Sequence, residues 1–191
     1  MYDEARPRAA RPISVRETLR TATSADHERI DSLYTRFDLS NPSQYKDFLR
    51  AQASAHIPVE NALDTAGAAL VLADWHARKR ASLLRDDLAE TGAEDFVPLP
   101  APRFTSVPAV LGAVYVVEGS RLGGAVLKRS LPRGAPARFL GAAPSPGSWR
   151  KLLAILEERV CEPEHVSNAI ASARSVFRLF ELAGLDVLRQ G

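Results

Sequence analysis

This chain has little of the chemistry that marks several protein classes. Only one of its 191 residues is a cysteine, Cys161, so no internal disulfide can form, and no metal-ligand spacing surrounds it. No apolar run approaches the roughly 20 residues of a membrane span, and the sequence shows no signal-peptide pattern. These features predict a protein of a reducing, cytoplasmic compartment with no membrane partner.

The chain also has little excess of charge of either sign. The formal net charge is +2, with 25% charged and 46% hydrophobic residues. So small an excess of positive charge does not indicate nucleic acid as a partner. The composition is that of an ordinary globular protein, and 191 residues suffice for one domain with a sizeable core.

Strand alternation is also missing, whereas helical periodicity and helix caps recur along the chain. We therefore predict an all-α fold: a disordered tail over residues 1–12 and one helical domain over 13–191. Pro58 should end or kink a helix, Gly92 should stop one, and 92–104 and 132–147 should be loops. The predicted helices span residues 14–34, 42–58, 59–72, 74–90, 109–131, 148–160 and 163–184.

Three glycines stand inside the strongest of these helices, at Gly119, Gly123 and Gly124. Each costs about 1 kcal/mol relative to alanine in a helix interior. Close packing against another helix would explain them, and so would a flat or bulky ligand lying on the bare backbone. A phosphate-binding loop does not fit, because the glycines follow no strand and lack the required spacing.

The first helix carries a polar line of Arg20, Thr23, His27 and Asp31 on one face. Asp31 follows His27 by one turn, so its carboxylate can accept a hydrogen bond from the imidazole. Such a bond fixes the tautomer and leaves the other ring nitrogen free to bind a metal. An ordinary surface or core hydrogen-bonding pair is the competing interpretation.

Structural roles are predicted for the remaining histidines, charged residues and aromatic residues of interest. His56, just before Pro58, should be a core or turn hydrogen-bonding residue. The charged run from His76 to Arg80 is typical of a solvated helix face. Phe177 and Phe180 are core residues by default, although they could line a pocket.

Together, two motifs resemble the proximal and distal helices of haem oxygenases, most closely the bacterial branch that makes biliverdin. The likeness extends from about Val15 to Leu185, with the motifs in the family's order. They read Leu19-Arg20-x-Ala22-Thr23-x-x-x-His27 and Tyr115-Val116-x-Glu118-Gly119-Ser120-x-Leu122-Gly123-Gly124.

The resemblance implies an all-α haem oxygenase-like bundle with haem between these two helices. His27 would be the proximal ligand of the haem iron, with Asp31 as its hydrogen-bonding partner. Thr23, in the same motif, would be a further haem-binding residue. Arg20 and Tyr115 match residues that hold the haem propionates.

Arg150, at the start of a late helix, is a further candidate for a propionate, although the adjacent Lys151 competes for that role. On the distal side, Gly119, Ser120, Gly123 and Gly124 would form the catalytic face. Animal-type members carry an aspartate where this chain has Ser120, and Ser120 could still anchor water.

The function implied by the resemblance is oxidative cleavage of haem to biliverdin, carbon monoxide and ferrous iron. Haem is then both cofactor and substrate, and O2 and an external reductant are needed. The sequence carries no flavin or nicotinamide fingerprint, so a ferredoxin or a reductase is the expected electron donor. A biliverdin-binding phytochrome is a candidate recipient of the product.

Two alternatives remain open at this stage. One is a haem-binding carrier or sensor on the same scaffold, which Ser120 in place of an acid allows. The other is a helical interaction protein that binds no haem.

Overall fold

The computed structural model describes residues 14–190, whose regular structure is entirely helical, and this confirms the all-α prediction. The predicted tail over residues 1–12 lies outside the described residues. The helices are α1 Val15–Ala22, α2 Ser24–Tyr34, α3 Pro42–Thr65, α4 Ala68–Val71, α5 Trp75–Arg78, α6 Ala81–Thr91, α7 Val107–Lys128, α8 Arg138–Gly141, α9 Ser148–Arg159 and α10 Pro163–Gln190.

The long helix α10 organises the bundle. It packs against α7, α3 and α2, whereas α2 and α7 are not major packing partners of one another within residues 14–190. The larger apolar core lies where α10 meets α7, α3 and α9. A second cluster joins α3 to α6 and α8.

The approach of α7 to α10 is backbone against backbone at Gly112. A Cβ atom added there would lie 2.1 Å from the carbonyl oxygen of Ala169. The hydroxyl of Ser172 also donates to the carbonyl of Ala109 at 2.6 Å. Gly112 is therefore the residue that permits this contact.

Pro58 does not end a helix: α3 continues through it to Thr65, so the predicted division into helices 42–58 and 59–72 at this residue is wrong. Proline lacks an N–H, so the carbonyl of Ser54 loses its partner within the helix. The N–H of Leu99 donates to that carbonyl at 2.9 Å. A loop residue distant in sequence thus replaces the missing bond.

Several further predicted boundaries are corrected. The predicted helix 59–72 divides into the end of α3 and α4, and the predicted helix 74–90 divides into α5 and α6. The first predicted helix divides at Thr23 into α1 and α2. The predicted loop 132–147 contains the short helix α8. Gly184 does not end α10 but lies within it, where a Cβ atom would come 2.8 Å from Cδ2 of Leu33. The lack of a side chain at Gly184 lets α2 pack closely against α10.

By length and composition, α7 could cross a membrane, since its most apolar window has a mean hydropathy of 1.4. In the sequence, Glu118 and Arg121 interrupt this apolar run. Both charged residues are buried in the structure, as is 56% of the window. Within the described residues α7 packs as a core helix of the bundle.

The contact at Gly112 predicts a large difference between two glycine-to-alanine changes in the same helix. Gly112→Ala should destabilise the protein at the upper end of the roughly 1–3 kcal/mol typical of overpacking, because a backbone carbonyl cannot rotate away. Gly123→Ala is the matched control, because a Cβ atom there meets nothing within 4 Å. It should raise stability by about 0.5–1 kcal/mol. Urea unfolding measures both, and equal effects would contradict this account of the α7–α10 contact.

Candidate functional site

His27 lies in the first turn of α2 with its imidazole exposed. Its Nδ1 atom is 3.0 Å from Oδ2 of Asp31, and the side chains are 61% and 64% exposed. The ring of Phe177, from α10, meets the imidazole edge-on with centroids 6.0 Å apart. The predicted pair therefore forms, and it leaves Nε2 as the ring nitrogen available to a metal.

The break before His27 corrects the expectation that Thr23 lines the site. Thr23 is 3% exposed, and its hydroxyl donates to the carbonyl of Leu19 at 2.8 Å. Its backbone at φ −110° and ψ 6° separates α1 from α2. Thr23 thus shapes the turn that precedes His27 rather than facing a ligand.

Two arginines act on the hydroxyl of Tyr115. Partial burial raises the pKa of Tyr115, and the nearby positive charges of Arg16 and Arg20 oppose that rise. Both arginines are exposed on α1, one turn apart. The charge of the predicted Arg20 thus acts on Tyr115, as does that of Arg16, which the i, i+4 spacing to Arg20 could have revealed.

Trp149 covers the same part of α7. Its ring lies 5.4 Å from that of Tyr115, and a Cβ atom at Gly119 would be 3.8 Å from its Cη2 atom. The adjacent Arg150 is exposed, and its guanidinium lies beside Gly147 at the start of α9. The sequence placed Trp149 next to a candidate residue but did not identify its contact with α7.

One face of α7 is packed at its N-terminal end and bare further along. Gly112 and Gly119 are seven residues apart and so share a face, which continues through Leu122, Gly123 and Val126. A Cβ atom at Gly123 would meet nothing within 4 Å, and Leu122 and Val126 are 51% and 64% exposed. Exposed apolar side chains beside a bare backbone fit the side of a flat apolar ligand.

Gly124 does not belong to this face, contrary to the prediction. It is buried, and an added Cβ atom would lie 2.9 Å from the carbonyl oxygen of Leu140 in α8. Close packing explains Gly124, whereas Gly123 is open. Of the two interpretations of the glycine segment, close packing thus applies to Gly124, and a bare backbone open to a ligand applies to Gly123.

Arg80 fixes the position of the Ser120 hydroxyl by hydrogen bonding. The guanidinium of Arg80 donates to the Ser120 hydroxyl and to the carbonyl of Val117, both at 2.9 Å. The Ser120 hydroxyl in turn donates to the Val117 carbonyl at 2.8 Å. The Arg80 guanidinium also lies over the ring of Phe139, 4.7 Å from its centroid.

Arg80 and Arg78 are each 2% exposed, which corrects the prediction of a solvated face over residues 76–80. Arg78 forms an ion pair with Glu118 at 3.0 Å and with Asp74 at 2.9 Å. It also donates to the carbonyl of Ser148 at 3.0 Å. Arg78 therefore joins α7 to the start of α9, next to Trp149.

A buried pair in α3 supports the same region. Nε2 of His56 lies 2.8 Å from Oε1 of Glu60, and both side chains are fully buried. Glu60 also accepts the backbone N–H groups of Arg80 and Ala81 at 2.7 and 3.0 Å. The expectation of a hydrogen-bonding core histidine is confirmed, and the pair anchors the segment that carries Arg80.

Burial and hydrogen bonding oppose each other at both residues, and the net shift of both pKa values is downward. Burial opposes the charge of Glu60, but the bonds from His56 and from the two backbone N–H groups hold its pKa below the usual 4.5. Burial lowers the pKa of His56 below 6.5, against the pull of Glu60 and with the help of Arg80 and Arg121.

Several buried polar atoms of α3, α7, the start of α9 and the segment that carries Arg80 have no hydrogen-bond partner among the described residues. They are Nδ1 of His56, Nε of Arg80, Oε1 of Glu118, Nε of Arg121 and Oγ of Ser148. Such groups are usually satisfied by buried water. The side of α7 that adjoins Ser120 is therefore polar, in contrast to the apolar bare face.

The exposed imidazole, the basic edge and the bare face match what haem requires. Haem is flat and apolar, with two anionic groups at one edge and a metal that binds an imidazole nitrogen. His27 would supply the nitrogen, Arg16, Arg20 and Tyr115 would hold the anionic edge, and the open backbone at Gly123 would leave space for the ring. The residues present fit this group.

Comparisons with known proteins agree with this geometry. The chain is 36% identical over 117 residues to a heme oxygenase of Xanthomonas campestris pv. campestris, covering 58% of this chain and 70% of that protein. Its fold matches the crystal structures of the NO- and CO-bound heme oxygenase from Neisseria meningitidis with a TM-score of 0.78, at 23% identity and with 93% of each chain covered. No protein-family model matches the sequence.

The relationship to the Xanthomonas protein defines the class to which this chain belongs. It is a member of the haem oxygenase family.

The perturbed pair in α3 predicts a loss of stability on acidification. Both folded pKa values lie below their usual values, so the unfolded chain takes up protons first as the pH falls. Unfolding free energy should therefore decrease as the pH drops below 6.5 and further near 4.5. Glu60→Gln should cost about 1–3 kcal/mol at neutral pH and make this decrease shallower.

Urea unfolding at a series of pH values measures the effect, with Glu94→Gln, an exposed site, as the control. If Glu60→Gln and the wild type lose stability in parallel, the pair does not contribute to the acid sensitivity.

Proposed function

We propose that this protein is a haem-degrading oxygenase that uses O2 and externally supplied electrons to open haem to biliverdin, carbon monoxide and ferrous iron. The observation that carries the proposal is the presence, in one helical bundle, of the exposed His27–Asp31 pair and of a bare, apolar face on α7. Kinship with a curated heme oxygenase supports it. Haem is the substrate, and its iron supplies the site at which O2 is activated.

On one side of haem, His27 binds the iron through Nε2. Asp31 accepts the proton of Nδ1 and so keeps the imidazole in the tautomer that ligates. Phe177 meets the ring edge-on and limits its rotation. His27 would thus hold the iron, and Asp31 and Phe177 would orient its imidazole.

At the edge of haem, Arg16, Arg20 and Tyr115 bind the propionates. Guanidinium groups bind carboxylates through two parallel N–H donors, so they fix orientation as well as position. Arg150, exposed beside Trp149, is a further candidate for this edge. The rotation of haem in its plane follows from these contacts.

On the other side, Gly119 and Gly123 keep Cβ atoms out of the space that O2 needs. Ser120 begins the polar side of α7, and Arg80 fixes its hydroxyl. Water held by the unpartnered buried atoms near Ser120 can deliver protons to the reacting oxygen. The carboxylate of Glu118 does not replace the animal-type aspartate, because it is bound to Arg78.

Electrons come from a separate protein of the ferredoxin or reductase type. A turnover assay tests the whole proposal: the purified protein is loaded with haem and given a ferredoxin system, or ascorbate, in air. The Soret band should decay as biliverdin appears. A stable haem complex with every donor would instead indicate a carrier or sensor.

The ligand role of His27 is tested in the same assay. His27→Ala should lose the histidine-ligated spectrum of the haem complex and reduce biliverdin formation to background. His76→Ala, at an exposed histidine in α5, is the matched control and should change neither. Unchanged haem titration of His27→Ala would refute the assignment of the ligand.

The bare face is tested by a bulky substitution. Gly123→Leu should slow ring opening roughly a hundredfold, because a displacement near the reacting atom can cost that factor, and should weaken haem binding much less. Ala125→Leu adds the same bulk at an exposed position outside the face. Single-turnover spectra and haem titrations separate the two effects. Equal turnover in both variants would return Gly123 to a packing role.

A further inference from the structure

The break between α1 and α2 leaves the backbone carbonyl of Ala22, shortly before His27, without its usual partner within a helix. In an uninterrupted helix the carbonyl of Ala22 would accept the N–H of Asp26, four residues later. Here it accepts two hydrogen bonds from the guanidinium of Arg174 in α10, from Nη2 at 2.7 Å and from Nε at 3.3 Å.

The first turn of α2 is tied to α10 by charge as well. Nε of Arg174 lies 3.5 Å from Oδ2 of Asp26, whose other oxygen accepts from Arg29. Arg29 lies 3.6 Å from Glu181, one turn further along α10 than Arg178. The side chains of Asp26 and Glu181 are 15% and 17% exposed, so this network is only partly screened by solvent.

The same stretch of α10 also contacts the imidazole itself. Phe177 follows Arg174 by three residues, which is about one helical turn, and its ring lies 6.0 Å from that of His27. Helix α10 therefore acts on the backbone before His27 and on its side chain. The sequence separation of 152 residues between Arg174 and Ala22 hides this link from any local pattern.

We propose that Arg174 is a positioning residue for the proximal ligand, which holds the α1–α2 break open and so sets the direction of the His27 imidazole. The inference rests on the proposed function, in which His27 binds the haem iron. Without the guanidinium, the carbonyl of Ala22 can recapture the N–H of Asp26. Helix α1 then extends into α2, and the turn that carries His27 rotates.

The test compares Arg174→Gln with Arg178→Gln in the haem-loaded protein. Arg178 is the matched control, because it lies one turn along the same helix, is similarly exposed and pairs with Glu181 rather than with the break. The readout is the iron–histidine stretching vibration of the ferrous protein. Arg174→Gln should shift this vibration and release haem to apomyoglobin about tenfold faster, whereas Arg178→Gln should do neither.

Arg174→Lys keeps a cation near Asp26 but cannot make both bonds to the carbonyl. Arg174→Lys should give a smaller shift of the iron–histidine vibration. If Arg174→Gln does not fold, Arg174→Lys alone tests whether Arg174 positions His27. An unchanged vibration in the folded Arg174 variants, or an equal shift in Arg178→Gln, overturns the inference. His27→Ala separates the two proposals. If the iron–histidine vibration of the wild type persists in His27→Ala, the assignment of His27 as the ligand fails. If the vibration is lost in His27→Ala, the ligand assignment stands, whatever the Arg174 variants show.

Discussion

The structure depends on the backbone contact between α7 and α10 at Gly112. No side chain separates the two helices there, and Ser172 fastens them by a hydrogen bond to the carbonyl of Ala109. Helix α10 also packs against α2, while the same face of α7 continues past Gly119, where Trp149 lies, to the open Gly123. The bare face of α7 is thus the continuation of a face that is packed as core at Gly112.

The side of α7 that adjoins Ser120 rests on buried charge. The short helix α5 is too small to be stable by intrinsic propensity, and the ion pairs of Arg78 with Asp74 and Glu118 hold it in the bundle. Burying such groups is costly unless each is paired, and this explains why Glu60 also binds the backbone that leads to Arg80. These charges place Ser120 and the start of α9 together with the apolar packing of Trp75 and Leu152.

Two helix interruptions follow one physical rule. At Pro58 and at the Thr23 break a carbonyl loses its helical partner, and each is satisfied from a distant segment, by the N–H of Leu99 or the guanidinium of Arg174. The proline was visible in the sequence and the broken helix was not, but in neither case does a local pattern show where the freed carbonyl finds its donor. The outcome at Pro58, a continuous helix, was decided by that donor.

The sequence by itself determined what depends on neighbours along the chain. The all-α class, the caps at Ser14, Asn41 and Ser106, and the bond between His27 and Asp31 all join residues within one turn of helix. Only the tertiary structure decided which glycine is bare and which is packed. It also turned the charged run at Arg78 and Arg80 into core. The reason is that burial, and the pairing that makes buried charge tolerable, depend on partners from other helices, which no local pattern encodes.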